Sequence, residues 1–283
     1  MIRKLKNYLM DNRDRQRINI ALSKGLGMMN TRSIDLTNPV TWEFSGFSQN
    51  GEDGILDVLR HQLINSNRYF IEIGVSDGIQ NNSAWLVVAE QYYGIMIEGN
   101  SKLLERAKRM IEGYSIGAEC YNMFVTRENV QNLKSMSFHH DPDVLSIDID
   151  GNDYYIAKAI LDCGLRPKIF VVEYNSVYGP DRSETIEYRD DFNFKKAHPT
   201  ELYYGVSISG WRIFFDRYGY RFLTVDRNGV NAFFVDPVFF NATFLSGIKG
   251  LIFAENGFQY KKFHKSSEEQ FALIADQKFI SIE

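Results

Sequence analysis

The stretch 68–82, RYFIEIGVSDGIQNN, constrains this chain more than any other. Residues 69–73 combine Tyr, Phe and two Ile with a single Glu, the apolar, β-branched and aromatic mixture of a strand buried in a parallel sheet. Gly74 and Gly78 follow, with Ser76 and Asp77 between them, so the backbone can turn sharply and approach a ligand where a side chain would obstruct it. A second apolar run, 93–97, ends in Glu98. An acid at the end of the second strand of a β-α-β unit is placed to accept hydrogen bonds from the ribose hydroxyls of a nucleoside lying over the first loop.

The alternation continues downstream. Helical spacing at 101–112 precedes a strand at 119–125, and a short helix at 128–134 precedes a strand at 143–150. A helix at 154–161 and a strand at 168–172 follow, the latter running into Glu173-Tyr174-Asn175. Strands alternating with helices predict an α/β fold, a mostly parallel sheet with helices on both faces, with its ligand at the carboxyl ends of the strands. After a helix at 205–218, the runs 220–225 and 230–235 flank Asn228-Gly229, a hairpin signal near the C-terminal end of the pattern. The segment 176–203 mixes charges and aromatics without a period and reads as a lid over the site.

Composition sets the outer limits. With 283 residues, 44% of them hydrophobic, the chain can bury a full core. A net charge of −4 argues against a nucleic-acid partner, and no apolar run of about 18 residues predicts a stable membrane insertion. Two cysteines, Cys120 and Cys163, give no disulfide framework, so a reducing cytoplasm is the simplest setting. Residues 1–30 stand apart, with seven Lys or Arg and two Asp. They read as a basic helical extension, solvated or in a homodimer contact rather than on a membrane, ended by Gly25-Leu26-Gly27.

The glycine spacing narrows the cofactor. A dinucleotide loop prefers glycine at its first, third and sixth positions, whereas here only Gly74 and Gly78 are present. Glu72, two residues before the first glycine, is placed to meet the cationic methionine portion of a sulfonium cofactor. The cofactor-binding candidates are therefore Glu72, Gly74, Ser76, Asp77, Gly78, Asn82, Glu98 and Asp148. Further acids gather after the fourth and fifth strands, at Asp148, Asp150, Asp153 and Glu173, with Asn152 and Asn175 beside them. Hard oxygens at one sheet edge suit Mg²⁺ or Mn²⁺ on Asp150, Glu173 and Asn175, direct acid/base work by Asp148, Asp150 and Glu173, or simple helix capping. His198 in the lid is a candidate base, Asn175 and Tyr178 could line an acceptor pocket, and Arg182 and Arg189 could hold a phosphate or carboxylate on the acceptor.

Seven separated blocks, FSQNGEDGIL, FIEIGVSDG, GIMIEGN, VLSIDIDGNDY, FVVEYNSVYGP, YYGVSISG and GVNAFFV, resemble the FkbM-like S-adenosylmethionine-dependent methyltransferases, in particular a bacterial branch bearing SQNGEDG and DIDGND. The resemblance spans roughly 44–236. It implies a Rossmann-like class I methyltransferase domain with a seven-stranded sheet; outside it lie the extension 1–43 and the segment 237–283, read as packed on the domain. It also implies S-adenosylmethionine as cofactor and O-methylation of a sugar, polyketide or related small molecule, here read as a precursor of a bacterial surface glycan. Metal-dependent methyltransferases of catechols and sugars are similar in carrying an acid after strand four and an acid-Asn or acid-acid pair after strand five, a pair that Tyr174 splits here. The competing readings are a nucleotide-cofactor sugar oxidoreductase or epimerase, and a non-catalytic binding module.

Overall fold

A computed structural model describes residues 2–111, 114 and 117–283, with side chains from residue 12 onward. In chain order the elements are α1 (Ile2–Thr31), α2 (Glu52–His61), β1 (Tyr69–Ile73), α3 (Ala84–Val88), β2 (Tyr93–Glu98), α4 (Ser101–Ile111), β3 (Ala118–Asn122), α5 (Asn132–Met136), β4 (Val144–Ile147), α6 (Asp153–Asp162) and β5 (Ile169–Glu173). They continue with β6 (Glu184–Ile186), α7 (Phe194–Ala197), α8 (Ile208–Arg217), β7 (Arg221–Val225), β8 (Asn231–Val235), α9 (Ala242–Gly247), α10 (Gly257–Phe263), α11 (Ser267–Phe271) and β9 (Phe279–Ser281).

The apolar strands alternate faces, as a period of two requires. Phe70, Met96, Val144, Val171 and Phe233 face one side, against Ile55, Leu56 and Leu59 of α2 and Trp85 of α3. Ile71, Ile95, Leu145, Phe170 and Phe234 face the other, against Ile156 and Ile160 of α6 and Trp211 and Phe215 of α8. Burial on both faces explains why these strands read as continuous apolar runs. The strand order is β3-β2-β1-β4-β5-β8-β7, and β8 alone runs against its neighbours. This is the expected Rossmann-like, mostly parallel seven-stranded sheet, with the hairpin of β7 and β8 at one edge. β1 pairs with β2 on one side and β4 on the other, so the chain changes direction there and opens a crevice at the strand ends.

Two expectations are corrected. α1 does not end at Gly25-Leu26-Gly27 but runs through it to Thr31, with Ile18 and Ala21 in the core. The glycine has a packing reason: a Cβ on Gly25 would lie 2.3 Å from the Trp85 ring. The side chains of Ile2, Leu5 and Leu9, and all of Glu112, lie outside the described residues. The segment 176–203 is also more than a cover without a core role. Val177, Tyr178, Ile186 and Leu202 are buried, Val177, Ile186 and Leu202 clustering with Ile274, and β6 pairs with β9 from the end of the chain. Aromatic and apolar positions there pack a small second layer, which no single period could reveal because its partners come from 271–282. No helix among the described residues is long and apolar enough to cross a membrane.

Candidate active site

The crevice at the ends of β1, β2, β4 and β5 is a cavity of about 760 Å³. Its floor is set by Gly74, whose φ of +95° and close approach to the Asp148 carbonyl leave no room for a side chain; a Cβ would sit 1.8 Å from that oxygen. Gly74 N–H donates to the Ile97 carbonyl and Asp148 N–H to the Ile73 carbonyl, so the loops after β1 and β4 extend the parallel ladder. At the next turn Ser76 takes φ +52° and Gly78 φ +81°.

Glu98, at the end of β2, lines the cavity and accepts from Ser76 N–H and Asn100 N–H, both at 2.8 Å. Each carboxylate oxygen keeps a lone pair for a ligand hydroxyl. Beside it Leu103, Met123, Phe124 and Val125 form an apolar wall against which a flat ring can stack. Phe124, 58% exposed, gave no signal in the sequence as a site residue because its role depends on where β3 ends.

Glu72 lies differently from the expectation. Its oxygens accept from Asn82 N–H and Ser83 N–H at 2.9 and 3.0 Å, and from the Ser83 hydroxyl. It reaches the cavity wall, but chiefly it ties the loop to β1 instead of offering a free carboxylate to methionine. Burial pushes its carboxyl up to about 7, against the pull of those hydrogen bonds. Asn82 lines the cavity and its amide donates to Ser146 Oγ. Asp77 points away from the cavity, to Arg17 of α1 at 2.9 Å and Arg106 of α4 at 3.3 Å. Gly78 shapes the loop without lining the cavity, its Cα opposite Ala107.

The acidic edge does converge. Oxygens of Asp148, Asp150 and Glu173 lie within 4.8 Å of one another. Burial, then the neighbouring carboxylates, push Asp148 and Glu173 well above the usual carboxylate range, with the Tyr204 phenol opposing this at Glu173. Asp150, which retains solvent access, is raised to about 6 by desolvation and by Asp153, with Lys195 working against the shift. Asp153 accepts from Ile149 N–H and Gly151 N–H and so caps the turn, as the simplest reading of an acid there predicted.

Besides Asp77 and Gly78, five further predicted residues are not brought to the cavity. The Asn175 amide donates to the Leu202 and Tyr204 carbonyls and its Oδ1 accepts from Val177 N–H, so it holds the second layer and is no metal ligand. Tyr178 is buried with its hydroxyl on the Tyr204 carbonyl. Arg182 stacks over Phe271 at 4.0 Å, and Arg189 pairs with the exposed Asp191. His198 pairs with Thr200 through Nδ1 and is not positioned as a base. Four of the five fall on the segment 176–203, whose packing was invisible in sequence, and Asn175 immediately precedes it.

Other residues arrive from elsewhere. The polar loop 48–53 folds over the cavity, with Asp53 accepting three backbone N–H bonds from residues 46–48. Burial is the larger effect at that acid and raises it to about 7. Glu52 lines the cavity and accepts from the Asn50 and Asn231 amides at 2.9 and 2.8 Å. The run Ser48-Gln49-Asn50-Gly51-Glu52-Asp53, five polar residues around one turn-forming glycine, was the available signal for Glu52; Asn231, inside a strand-like run, had none. In all, six carboxylates line the cavity, those of Glu52, Glu72, Glu98, Asp148, Asp150 and Glu173, and no Lys, Arg or His does among the described residues.

No family model matches the chain, and a search of curated proteins finds no match. Among solved structures it is similar to an O-methyltransferase from Bacillus cereus in complex with SAH, at 14% identity over 77% of this chain and 89% of that one, with a TM-score of 0.41. An S-adenosylmethionine-dependent methyltransferase from Clostridium acetobutylicum gives 11% identity, 66% and 92% coverage and a TM-score of 0.40. A methyltransferase from Geobacter sulfurreducens gives 13%, 65% and 77%, with a TM-score of 0.41.

Proposed function

We propose that the protein is an S-adenosylmethionine-dependent O-methyltransferase acting on a sugar or related small precursor of a bacterial surface glycan. The observation that carries this reading is the lining of the cavity: six carboxyl groups, which a bound cation would draw toward their ionised form, and no cationic side chain among its described lining residues. Such a site attracts a cofactor bearing a sulfonium and an ammonium, and repels the pyrophosphate of a dinucleotide. Nor does a helix start at the glycine loop to receive a pyrophosphate, since α3 begins only at Ala84 and has five residues. Glu98 and the apolar wall suit the adenosine half, and the Gly74 loop and Asp148 suit the methionine half. Methyl transfer is then an in-line displacement in which the protein holds the acceptor oxygen opposite sulfur and removes its proton. Glu173, deep at the end of β5 with a raised carboxyl pKa, is the base.

Calorimetry with S-adenosylmethionine and with NAD tests the reading. Only the first should bind, and Glu98→Ala should weaken it by about 1–3 kcal/mol, because ribose hydroxyls and Ser76 N–H lose their acceptor. Binding of NAD alone would overturn it. One observation favours a second reading of the acidic edge: the oxygens of Asp148, Asp150 and Glu173 fit a divalent cation, which would supply Lewis acidity to an acceptor hydroxyl. Turnover that survives exhaustive chelation leaves Glu173 as a proton acceptor; turnover lost and restored by Mg²⁺ or Mn²⁺ assigns the three carboxylates to a metal.

A further inference from the structure

β5 and β8 run antiparallel, and their register places Glu173 directly opposite Asn231. Side chains directly opposite on adjacent strands share a face and lie about 5 Å apart at Cβ. Both line the cavity, yet they are only 9% and 3% exposed. Glu173 Oε2 and Asn231 Oδ1 are buried without a hydrogen-bond partner. The orientation of the Asn231 amide is fixed by chemistry, since its Nδ2 donates to Glu52 Oε1, which could not accept from the amide oxygen. Glu52 is in turn held by both the side-chain and backbone nitrogens of Asn50. With Glu173 ionised, the state in which it can take up a proton, the site presents two preoriented acceptors side by side, and buried acceptors of this kind call for donors.

We propose that Glu173 Oε2 and Asn231 Oδ1 form the acceptor-registering pair of the enzyme, and that its acceptor is an uncharged vicinal diol such as a pyranose ring presents. This inference rests on the methyltransferase reading and narrows its substrate class. A phosphate or carboxylate at this position would bring further acceptors and negative charge to a wall that already carries six carboxylates. Two neighbouring hydroxyls each bring a donor. Of the two protein oxygens only the carboxylate can take a proton, so the hydroxyl on Glu173 is the one methylated and its neighbour on Asn231 sets the register. In the transfer the methyl C–S bond breaks and the C–O bond forms. The C–S electron pair stays on sulfur, giving a neutral thioether, and the hydroxyl proton passes to Glu173. Arg182 and Arg189, on this view, play no part in holding the acceptor, in agreement with their contacts to Phe271 and Asp191.

The test is ligand-observed NMR on the full chain saturated with S-adenosylhomocysteine. The probes are methyl α-mannopyranoside, the analogue lacking one hydroxyl of its vicinal pair, and a hexose phosphate. The diol should bind at least about tenfold more tightly than the deoxy analogue, because a site built to receive a hydroxyl rejects a ligand without it. The phosphate should bind more weakly than either. Asn231→Leu should abolish the preference for the diol and leave S-adenosylhomocysteine affinity within about twofold. Should that variant not fold, the discrimination among the three probes by the unmodified protein decides alone. Equal binding of diol and deoxy analogue, no binding of the diol, or tighter binding of the phosphate would each overturn the proposal while leaving the cofactor reading intact. Failure of S-adenosylhomocysteine to bind would strike the cofactor reading itself.

Discussion

Gly74 and Asp150 hold the two loops of the site in backbone conformations that L-residues rarely adopt, at φ +95° and +54°. For Gly74 the constraint is twofold, because a side chain would be both strained and driven into the Asp148 carbonyl 1.8 Å away. Gly74→Ala should therefore lose more than the roughly 1–3 kcal/mol of backbone strain alone, and it should displace Asp148 from the cavity. Denaturant unfolding and cofactor titration would check this; a variant as stable as the parent with unchanged affinity would show that the loop is not the cofactor cradle. By contrast Gly179, with open space around its Cβ position, carries strain but no clash at φ +70°. Alanine there should cost only the strain and leave cofactor binding alone.

At the scale of elements, α1 is tied to the glycine loop after β1. Asp14 and Arg17 on this helix, Arg106 on α4 and Asp77 in the loop form one ion-pair network, with Arg17 to Asp77 at 2.9 Å and Arg106 to Asp14 at 3.4 Å. Because Arg17 is partly solvated, its removal should cost only about 0.5–1 kcal/mol of stability, yet it should weaken the cofactor by freeing the loop. The glycines of α1 give a sharper test. Ala is normally better than Gly inside a helix by about 1 kcal/mol, and Gly27, with nothing within 4 Å of its Cβ position, should show that gain on Gly27→Ala. Gly25→Ala should instead destabilise, since the new methyl would meet the buried Trp85 ring, itself packed edge-on against Phe44. Melting temperatures of the two variants should move in opposite directions. A gain at both would mean that α1 is not seated on Trp85.

For the molecule as a whole, the buried acids set an unusual pH dependence. Burial raises Asp53 and Glu72 to about 7, and raises Asp148, Glu173 and Asp226 as well, while the unfolded chain titrates its carboxyls near the ordinary value of about 4. The folded protein therefore binds more protons than the unfolded chain between about pH 4 and 7, and its stability falls as pH rises through that window. Urea midpoints without ligand should be higher near about pH 5.5 than near about pH 8. A sulfonium cofactor pairs best with ionised carboxylates, so its affinity should rise over the same interval and its stabilisation should be largest on the alkaline side. A midpoint that climbs steadily with pH would show these acids to be ionised in the ligand-free fold.

Sequence alone determined what depends on near neighbours. The strand cores at 69–73 and 93–97, the turn at Gly74 and the acid at Glu98 follow from local apolar period, β-branching and backbone freedom, and the order of such units leads to a mostly parallel sheet. The convergence of Asp148, Asp150 and Glu173 was also within reach, because adjacent parallel strands end at one edge. Which polar atoms remain free to face the cavity was decided only in three dimensions. Asn175 is consumed by the Leu202 and Tyr204 carbonyls, Glu72 by its own loop, and Arg182 by Phe271, whereas Asn231 is turned toward the cavity by Glu52, 179 residues earlier. A carboxylate or amide has the same local signature whether its lone pairs are taken or open. That difference arises from partners distant in the chain, which only the packing of the whole sheet brings within hydrogen-bond reach.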